Sequence, residues 1–551
     1  MWAIKAAWFR TFQFFFNYAA AALRWRKAER IEGAGCISRV PELCKRAGIK
    51  RPMVVSDPGL VKAGISARQL GVLEQAGMEY SLFTELEPNP TVDSVNAIQA
   101  LYLEDGCDGL IAIGGGSPMD AAKAAGARLA FPKRSVQSMG GLLRVWRKIP
   151  PLIAIPTTAG TGSETTIAAL VTDSKTRHKS AIMDLHLIPL YAVLDPELTV
   201  GLPPHITAST GMDALTHAVE AYLCWTYSTK ESTRFAEEAV AIIFKYLEKA
   251  YLDGNNIEAR QQMQIAAYLA GFAFTRAGVG NIHAIAHTLG GLYNMPHGMA
   301  NAIILPIVLE DYGHRVYKKL AKLARIAGLG KDKSDEEAAK LFIAEIRAMN
   351  ARMGIGASFD CIRDADVEQM AQWAYKECNP LYPVPVLFDI DRYKNIIERI
   401  RPPKVMRITE LCTGCTACTR VCPVFAISGN RGERHVINAE RCVACGVCGR
   451  VCPVSAITDR EGVPLARLPR SLWPVPSINE EECSACGICV MLCGPQALRI
   501  QPPKEKGDIL VRAELYEPKK CTGCSICADN CPLDAISMVA READAAKAGA
   551  L

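Results

Sequence analysis

Cysteine is scarce over the first 400 residues of this 551-residue chain: only Cys36, Cys44, Cys107, Cys224, Cys361 and Cys378 occur there. Sixteen more then crowd between Cys412 and Cys531. No apolar run reaches the roughly 18 residues needed to span a bilayer, so no membrane-crossing segment is expected. Neither sign of charge dominates, with 63 Lys and Arg against 57 Asp and Glu. A formal charge of +6 over this length lacks the broad basic field of a nucleic-acid-binding protein. Half the residues are hydrophobic and 22% are charged, which excludes a disordered or collagen-like chain. At about 150 residues per domain the length allows three or four domains.

The break in cysteine content marks a domain boundary. Disulfide scaffolds are typically short secreted chains, whereas closely and regularly spaced cysteines beside a large cysteine-poor region read as metal ligands in a reducing compartment. A cytoplasmic location is expected, and the six scattered cysteines read as buried thiols.

Residues 1–29 read as a separate amphipathic helix. The apolar stretch Thr11 to Leu23 is bounded by Arg10 and Arg24 and interrupted by Gln13 and Asn17, and no twin-Arg pair precedes it, which argues against a signal peptide. On a helical projection Arg10, Gln13, Asn17 and Arg24 share one side, and Trp8, Phe12, Phe15 and Ala19 the other. The expectation is that the aromatic side docks on this or a partner subunit. The alternative is peripheral contact with the inner membrane surface through residues 1–27, supported by Lys5, Arg10, Arg24, Arg26 and Lys27.

Residues 30–195 alternate short apolar runs with helical stretches, the rhythm of a parallel α/β domain. Leu110 to Ile113 runs into Gly114-Gly115-Gly116-Ser117-Pro118, where glycines let the backbone approach an anion and the following helix turns free N–H groups toward it. Ser117 is expected to cap that helix, with Asp120 completing a capping box. Asp57, after the strand Met53–Val55, suits either the ribose hydroxyls of a dinucleotide or a helix cap. The loop Pro156 to Glu164, with four hydroxyls and two glycines after an apolar run, reads as a close-approach polar loop rather than a solvated turn.

Residues 196–400 are dominated by helical periodicity and hold six of the nine histidines. Asp213 and His217 lie four apart, as do His283 and His287, so each pair shares a helix face, and His297 opens a later segment. One carboxylate with several imidazoles suits Fe(II) or Zn(II) and leaves a position for a substrate oxygen. The missing glutamate of H-E-x-x-H excludes a metalloprotease.

The strings GGGSPMDAAK, PTTAGTGSE, LDPELT, TGMDALTHAVEAY and HAIAHTLGGLYNMPHG, in that order, resemble the iron-containing (group III) alcohol dehydrogenases over about residues 30 to 400. The resemblance implies a dehydroquinate synthase-like fold: an NAD(P)-binding α/β domain, then an all-α metal domain, with the active site between them. It implies Asp213, His217, His283 and His297 as metal ligands and His287 as either a residue supporting those ligands or a proton relay. It also implies that Asp57, Asn89, Gly115, Gly116, Ser117, Thr157, Thr158 and Lys179 line the dinucleotide, NAD or alternatively NADP. A homo-oligomer is expected, acting on a small alcohol or aldehyde.

Residues 401–551 carry four repeats of C-x2-C-x2-C-x3-C: Cys412, Cys415, Cys418, Cys422; Cys442, Cys445, Cys448, Cys452; Cys483, Cys486, Cys489, Cys493; and Cys521, Cys524, Cys527, Cys531. Three thiolates on such a loop hold three corners of a cubane, and the fourth serves its neighbour. Zinc ribbons instead use two pairs of thiols. The segment resembles two bacterial-type two-cluster [4Fe-4S] ferredoxins, α+β modules at 401–460 and 478–540, with a linker at 461–477 and a tail at 541–551. That resemblance pairs Cys412, Cys415 and Cys418 with Cys452, and Cys442, Cys445 and Cys448 with Cys422. It likewise pairs Cys483, Cys486 and Cys489 with Cys531, and Cys521, Cys524 and Cys527 with Cys493. The third repeat departs from the others, because Gly494 intervenes between its last cysteine and Pro495.

Hydride chemistry moves two electrons and each cluster carries one, so something must split the pair, usually a flavin, and no flavin-binding motif is evident. Two functions are consistent with the fusion. The tail is a wire joining alcohol or aldehyde turnover to ferredoxin or a flavoprotein, or it is a docking module that assembles an ordinary NAD-dependent dehydrogenase into a larger redox complex. The cluster region holds 19 Lys and Arg against 16 Asp and Glu. Those basic residues offset the negative charge of the thiolate-bound clusters, which weakens a nucleic-acid role further.

Overall fold

The computed structural model describes residues 2–23, 25–62, 64–87, 89–174, 179–503 and 511–541, apart from the side chains of 65–69 and 179. The chain divides into two compact units, Met1–Ile400 and Arg401–Leu551.

In the first unit six strands form one parallel sheet: β1 (Glu29–Glu32), β2 (Pro52–Val55), β3 (Ser81–Phe83), β4 (Gly109–Gly114), β5 (Leu152–Pro156) and β6 (Tyr191–Leu194), in the order β1-β6-β5-β4-β2-β3. Every residue of β2, β4 and β5 is buried, as continuous apolar runs covered on both faces should be. Alternation assigns the two faces: Met53, Val55, Leu110, Ala112 and Ala154 pack in one core, and Val54, Ile111, Ile113, Ile153 and Ile155 in the other. Chain order reverses direction between β2 and β4, and their carboxyl ends therefore border the crevice where open α/β sheets take ligands.

Helix α1 spans Trp2–Ala21, and α2 (Gly116–Ala130) follows β4. The second half of this unit is helical and includes α3 (Pro204–Leu223), α4 (Asn281–Tyr293), α5 (His297–Tyr312) and α6 (Val367–Cys378) around one apolar core.

The structure reverses the expected orientation of α1. The helix lies on its own chain through a face that carries Arg10 and Gln13 together with buried Phe9 and partly buried Phe16, not through the expected set. Arg10 donates to the carbonyls of Val384 (2.7 Å) and Pro385 (3.1 Å), and fully buried Gln13 donates to those of Pro380 (3.0 Å) and Tyr382 (2.7 Å). Trp8 (56% exposed), Phe15 (66%) and Ala19 face outward, and only Phe12 of the predicted docking set is partly covered. Donors for four partly buried carbonyls favour this orientation, because an acceptor left unpaired on burial costs about 1–3 kcal/mol, and Phe9 and Phe16 pack beside them on Tyr375 and Tyr227.

Two smaller expectations also change. Gly115, not Ser117, is the N-cap of α2, and no side chain caps it. Ser117 instead accepts from the Asn89 backbone N–H (3.3 Å), while Asp120 accepts from Ser163 Oγ and Leu170 N. Among the six scattered cysteines, Cys361 is exposed and the other five are buried.

In the second unit each module pairs its first strand with its last and its two middle strands with each other: Arg407–Ile408 with Ile457–Thr458, Ile427–Ser428 with Val436–Ile437, Val475–Ile478 with Ile536–Val539, and Leu498–Ile500 with Ala513–Leu515. This interleaving carries the last cysteine of each repeat across to the other repeat of its module. The strand Val475–Ile478 begins inside the segment expected to be a linker.

Candidate active site and cluster sites

Helix α3 supplies Asp213 and His217, α4 supplies His283 and α5 begins with His297. One ligand atom from each of these four residues lies within 4.8 Å of all the others. Close approach of α5 to α3 is needed for this, and Gly298 permits it, because a Cβ there would meet the Ser209 carbonyl at 2.2 Å. His217 is stacked on Phe274 at 4.1 Å, with the Gly160 backbone carbonyl beside its ring. A buried carboxylate and three imidazoles converging in this way are the donor set of a borderline divalent ion.

Three further residues support this quartet and are not singled out by the sequence. Glu220, buried on α3, contacts His283 Nδ1 at 2.5 Å and accepts from the Ile282 N–H at 2.9 Å. It thereby turns His283 Nε2 toward the cluster, the carboxylate–histidine arrangement that orients metal ligands. Burial pushes the Glu220 carboxyl up to about 8 against the opposing backbone N–H groups of Ile282 and Gly280. Burial, reinforced by the neighbouring imidazoles, holds His283 well below the usual histidine range, which keeps it in the neutral form that binds metals. Asn301 donates to Asp213 Oδ1 (2.7 Å) and sits 3.1 Å from His283 Nε2 and 3.2 Å from His297 Nε2. Glu377, on α6, contacts His287 Nδ1 at 2.6 Å and accepts from the Tyr382 hydroxyl at 2.9 Å. The His287 side chain is 30% exposed and its ring stacks on His297 at 5.2 Å, so it links the cluster to solvent.

Of the residues expected to line a dinucleotide, Asp57, Gly115, Gly116, Ser117, Thr157 and Thr158 follow the carboxyl ends of β2, β4 and β5, and Asn89 meets Ser117 there. The Asp57 carboxylate does cap the next turn, accepting from Leu60 N at 3.1 Å, while its Oδ2 lies against Gly114. Thr157 N donates to the Gly114 carbonyl at 2.9 Å. That bond lays the hydroxyl loop over the glycine turn, where a Cβ on Gly115 would be 3.5 Å from Thr158 Oγ1. With no side chain capping α2, its first N–H groups remain available to an anion. Lys123, fully buried one turn further along, clamps the loop through the carbonyls of Ser163, Thr166 and Ala168 at 2.6–3.1 Å. Lys179 lies in the strand Lys179–Met183, but its side chain is outside the described residues.

In the second unit, Cys412, Cys415, Cys418 and Cys452 line one cavity, and Cys483, Cys486, Cys489 and Cys531 line another. The Cys445 thiol interacts with those of Cys442 and Cys422, and the Cys527 thiol with those of Cys521, Cys524 and Cys493. Buried His435 also lines the first cavity, anchored by Nδ1 at 3.1 Å from the Glu433 carbonyl. By strand register Ala513 occupies the same place in the second module.

Residues 28–196 match the family described as iron-containing alcohol dehydrogenase, and residues 207–400 match its C-terminal domain. The chain belongs to the iron-containing alcohol dehydrogenases. It is an oxidoreductase of that family, extended by two 4Fe-4S dicluster domains at 404–461 and 482–541. The chain is 38% identical over 352 residues to 1,3-propanediol dehydrogenase of Citrobacter freundii, covering 63% of this chain and 90% of the relative. It is 35% identical over 349 residues to lactaldehyde reductase of Escherichia coli strain K12, covering 62% and 90%. A crystal structure of 1,3-propanediol oxidoreductase superposes with a TM-score of 0.66 at 34% identity, covering 68% of this chain and 98% of that one. An alcohol dehydrogenase from Oenococcus oeni gives 0.66 at 33%, covering 69% and 100%. These four matches cover between 62% and 69% of this chain, and the cysteine-rich region is matched by the two dicluster families.

Proposed function

We propose that the enzyme interconverts a small alcohol and its aldehyde with NAD(P), and that its four cysteine sets hold [4Fe-4S] clusters that connect this reaction to a one-electron carrier. Asp213, His217, His283 and His297 would hold Fe(II) or Zn(II), and Asp57, Asn89, Gly115, Gly116, Ser117, Thr157, Thr158 and Lys179 the dinucleotide. When bound, the ion supplies a Lewis acid for the substrate oxygen and the nicotinamide supplies or accepts the hydride.

The protein's own groups do the rest. Glu220 and Asn301 fix the ligand side chains. His287 takes the hydroxyl proton during oxidation and returns it during reduction, with Glu377 and Tyr382 holding its ring. The Asp57 carboxylate accepts from ribose hydroxyls and repels a 2′-phosphate, favouring NAD. In the oxidative direction the substrate loses a hydride from carbon and a proton from oxygen. A flavin-bearing partner that reoxidised NADH would turn the electron pair of the hydride into single electrons, which the clusters held by the four cysteine sets would carry.

The observation that carries the wire is the gathering of sixteen thiols into four sets, since docking alone needs no such provision. The test is anaerobic: alcohol and NAD⁺ are added to the reconstituted enzyme, with and without a flavoprotein, while the visible cluster absorbance is followed. Bleaching in the presence of the flavoprotein is expected. No bleaching under either condition would overturn the wire and leave the docking role.

We also propose that the outward face of α1 rests peripherally on an anionic lipid surface. Ile4, Trp8, Phe15 and Tyr18 are 77%, 56%, 66% and 63% exposed, and Lys5 is exposed on the same helix, whereas Arg10, Arg26 and Lys27 are bonded to the protein itself. Exposed tryptophan and tyrosine beside a basic residue suit an interfacial helix.

A further inference from the structure

The reading of the sixteen cysteines as four ligand sets leaves one oddity, the glycine after Cys493 where the other three repeats have proline. A Cβ on Gly494 would lie 2.0 Å from the carbonyl oxygen of Pro423. Pro423 itself follows Cys422, so the two modules touch at the residues next to Cys422 and Cys493. Those cysteines complete the second set (Cys442, Cys445, Cys448, Cys422) and the fourth set (Cys521, Cys524, Cys527, Cys493).

Two more contacts join the same pair of sets. Arg450, on the short helix that carries Cys448, donates Nη1 to the carbonyls of Gly523 (2.9 Å) and Thr522 (3.3 Å), inside the loop between Cys521 and Cys524. Gly523 is packed so closely that a Cβ would lie 2.5 Å from the Pro474 carbonyl and 3.0 Å from Arg450 Nη1. The thiols of Cys445 and Cys524 are near enough to interact. Within modules, Cys418 of the first set neighbours Cys448 of the second, and Cys489 of the third shares a packed core with Cys527 of the fourth. Exposure follows the same order: Cys415 and Cys486, the middle cysteines of the first and third sets, are exposed, whereas Cys445 and Cys524 are half-buried.

We infer that the four cluster sites form a single row in the spatial order first, second, fourth, third, with the modules meeting, among the described residues, around Gly494 and Arg450. A one-electron carrier, oxidised or reduced by one electron per encounter, then meets the row at its first-set or third-set end. The middle pair exchanges electrons only with its neighbours.

The test uses the full-length reconstituted protein reduced with dithionite, so it is independent of substrate-driven reduction. Iron content and EPR spin–spin interactions are measured for the wild type, Gly494→Val and Arg450→Gln. Magnetic coupling linking all four clusters is expected in the wild type. Gly494→Val should keep its iron but lose the coupling between modules, and Arg450→Gln should weaken it. A wild-type spectrum of two independent pairs, or both variants with undiminished coupling, would overturn the order. If Gly494→Val fails to retain iron, Arg450→Gln decides. Fewer than four clusters in the wild type would instead overturn the ligand sets on which the order rests. Absence of bleaching by alcohol would leave this result standing.

Discussion

His283 and His287 sit one helical turn apart on α4, yet their partners give them different work. His283 is buried against Glu220, and His287 is partly exposed against Glu377. His283→Ala is expected to lose the catalytic metal and all turnover. His287→Ala and Glu377→Gln should keep the metal and lose about 10²–10⁴-fold in kcat, the usual worth of a positioned acid–base group. Glu220→Gln should bind metal on the order of 10–100-fold more weakly, as losses of a ligand's supporting carboxylate do. Metal analysis beside steady-state kinetics separates these outcomes, and full metal occupancy in His283→Ala would refute its ligand role. The quartet was legible because i,i+4 spacing put Asp213 over His217 on one helix. Glu220 was within reach of the same reasoning, seven residues from Asp213 on the same face. Glu377 was not, since it is 90 residues from His287 and meets it only through the packing of α6.

At the scale of elements, the parallel sheet followed from continuous apolar runs, but the cap of α2 and the orientation of α1 did not. Periodicity finds the two sides of an amphipathic helix without saying which side meets protein. In α1 the side with Arg10 and Gln13 does, with Phe9 and Phe16 beside them, because the segment around Pro380–Pro385 presents carbonyls that need donors. Flotation with phosphatidylglycerol vesicles checks the consequence: the wild type should float, and Trp8→Ser with Phe15→Ser should remain in the dense fraction at unchanged alcohol oxidation. Equal flotation would exclude the outward face as the contact. Both substitutions are at exposed positions, so the fold should tolerate them.

Over the whole molecule, the division into a dehydrogenase and a cluster region was legible from the abrupt rise in cysteine at Cys412. The meeting of the two ferredoxin-like modules was not. Ligand spacing is local, whereas Gly494 and Pro423 are brought together by the way two separate repeats pack, and only an unexplained glycine hinted at it. The same holds for Lys123, a basic residue on an alanine-rich helix that the sequence gives no reason to bury, until the three carbonyls of the neighbouring loop are seen around it.

The seating of α1 bears on turnover as well as on location. Its Gln13 is bonded to the carbonyl of Tyr382, and the hydroxyl of that same tyrosine bonds Glu377, which holds His287. A tug on the amino-terminal helix is therefore only three side chains removed from the proton-carrying imidazole. Under the proposed lipid contact, seating the helix and holding that imidazole would draw on one continuous set of hydrogen bonds.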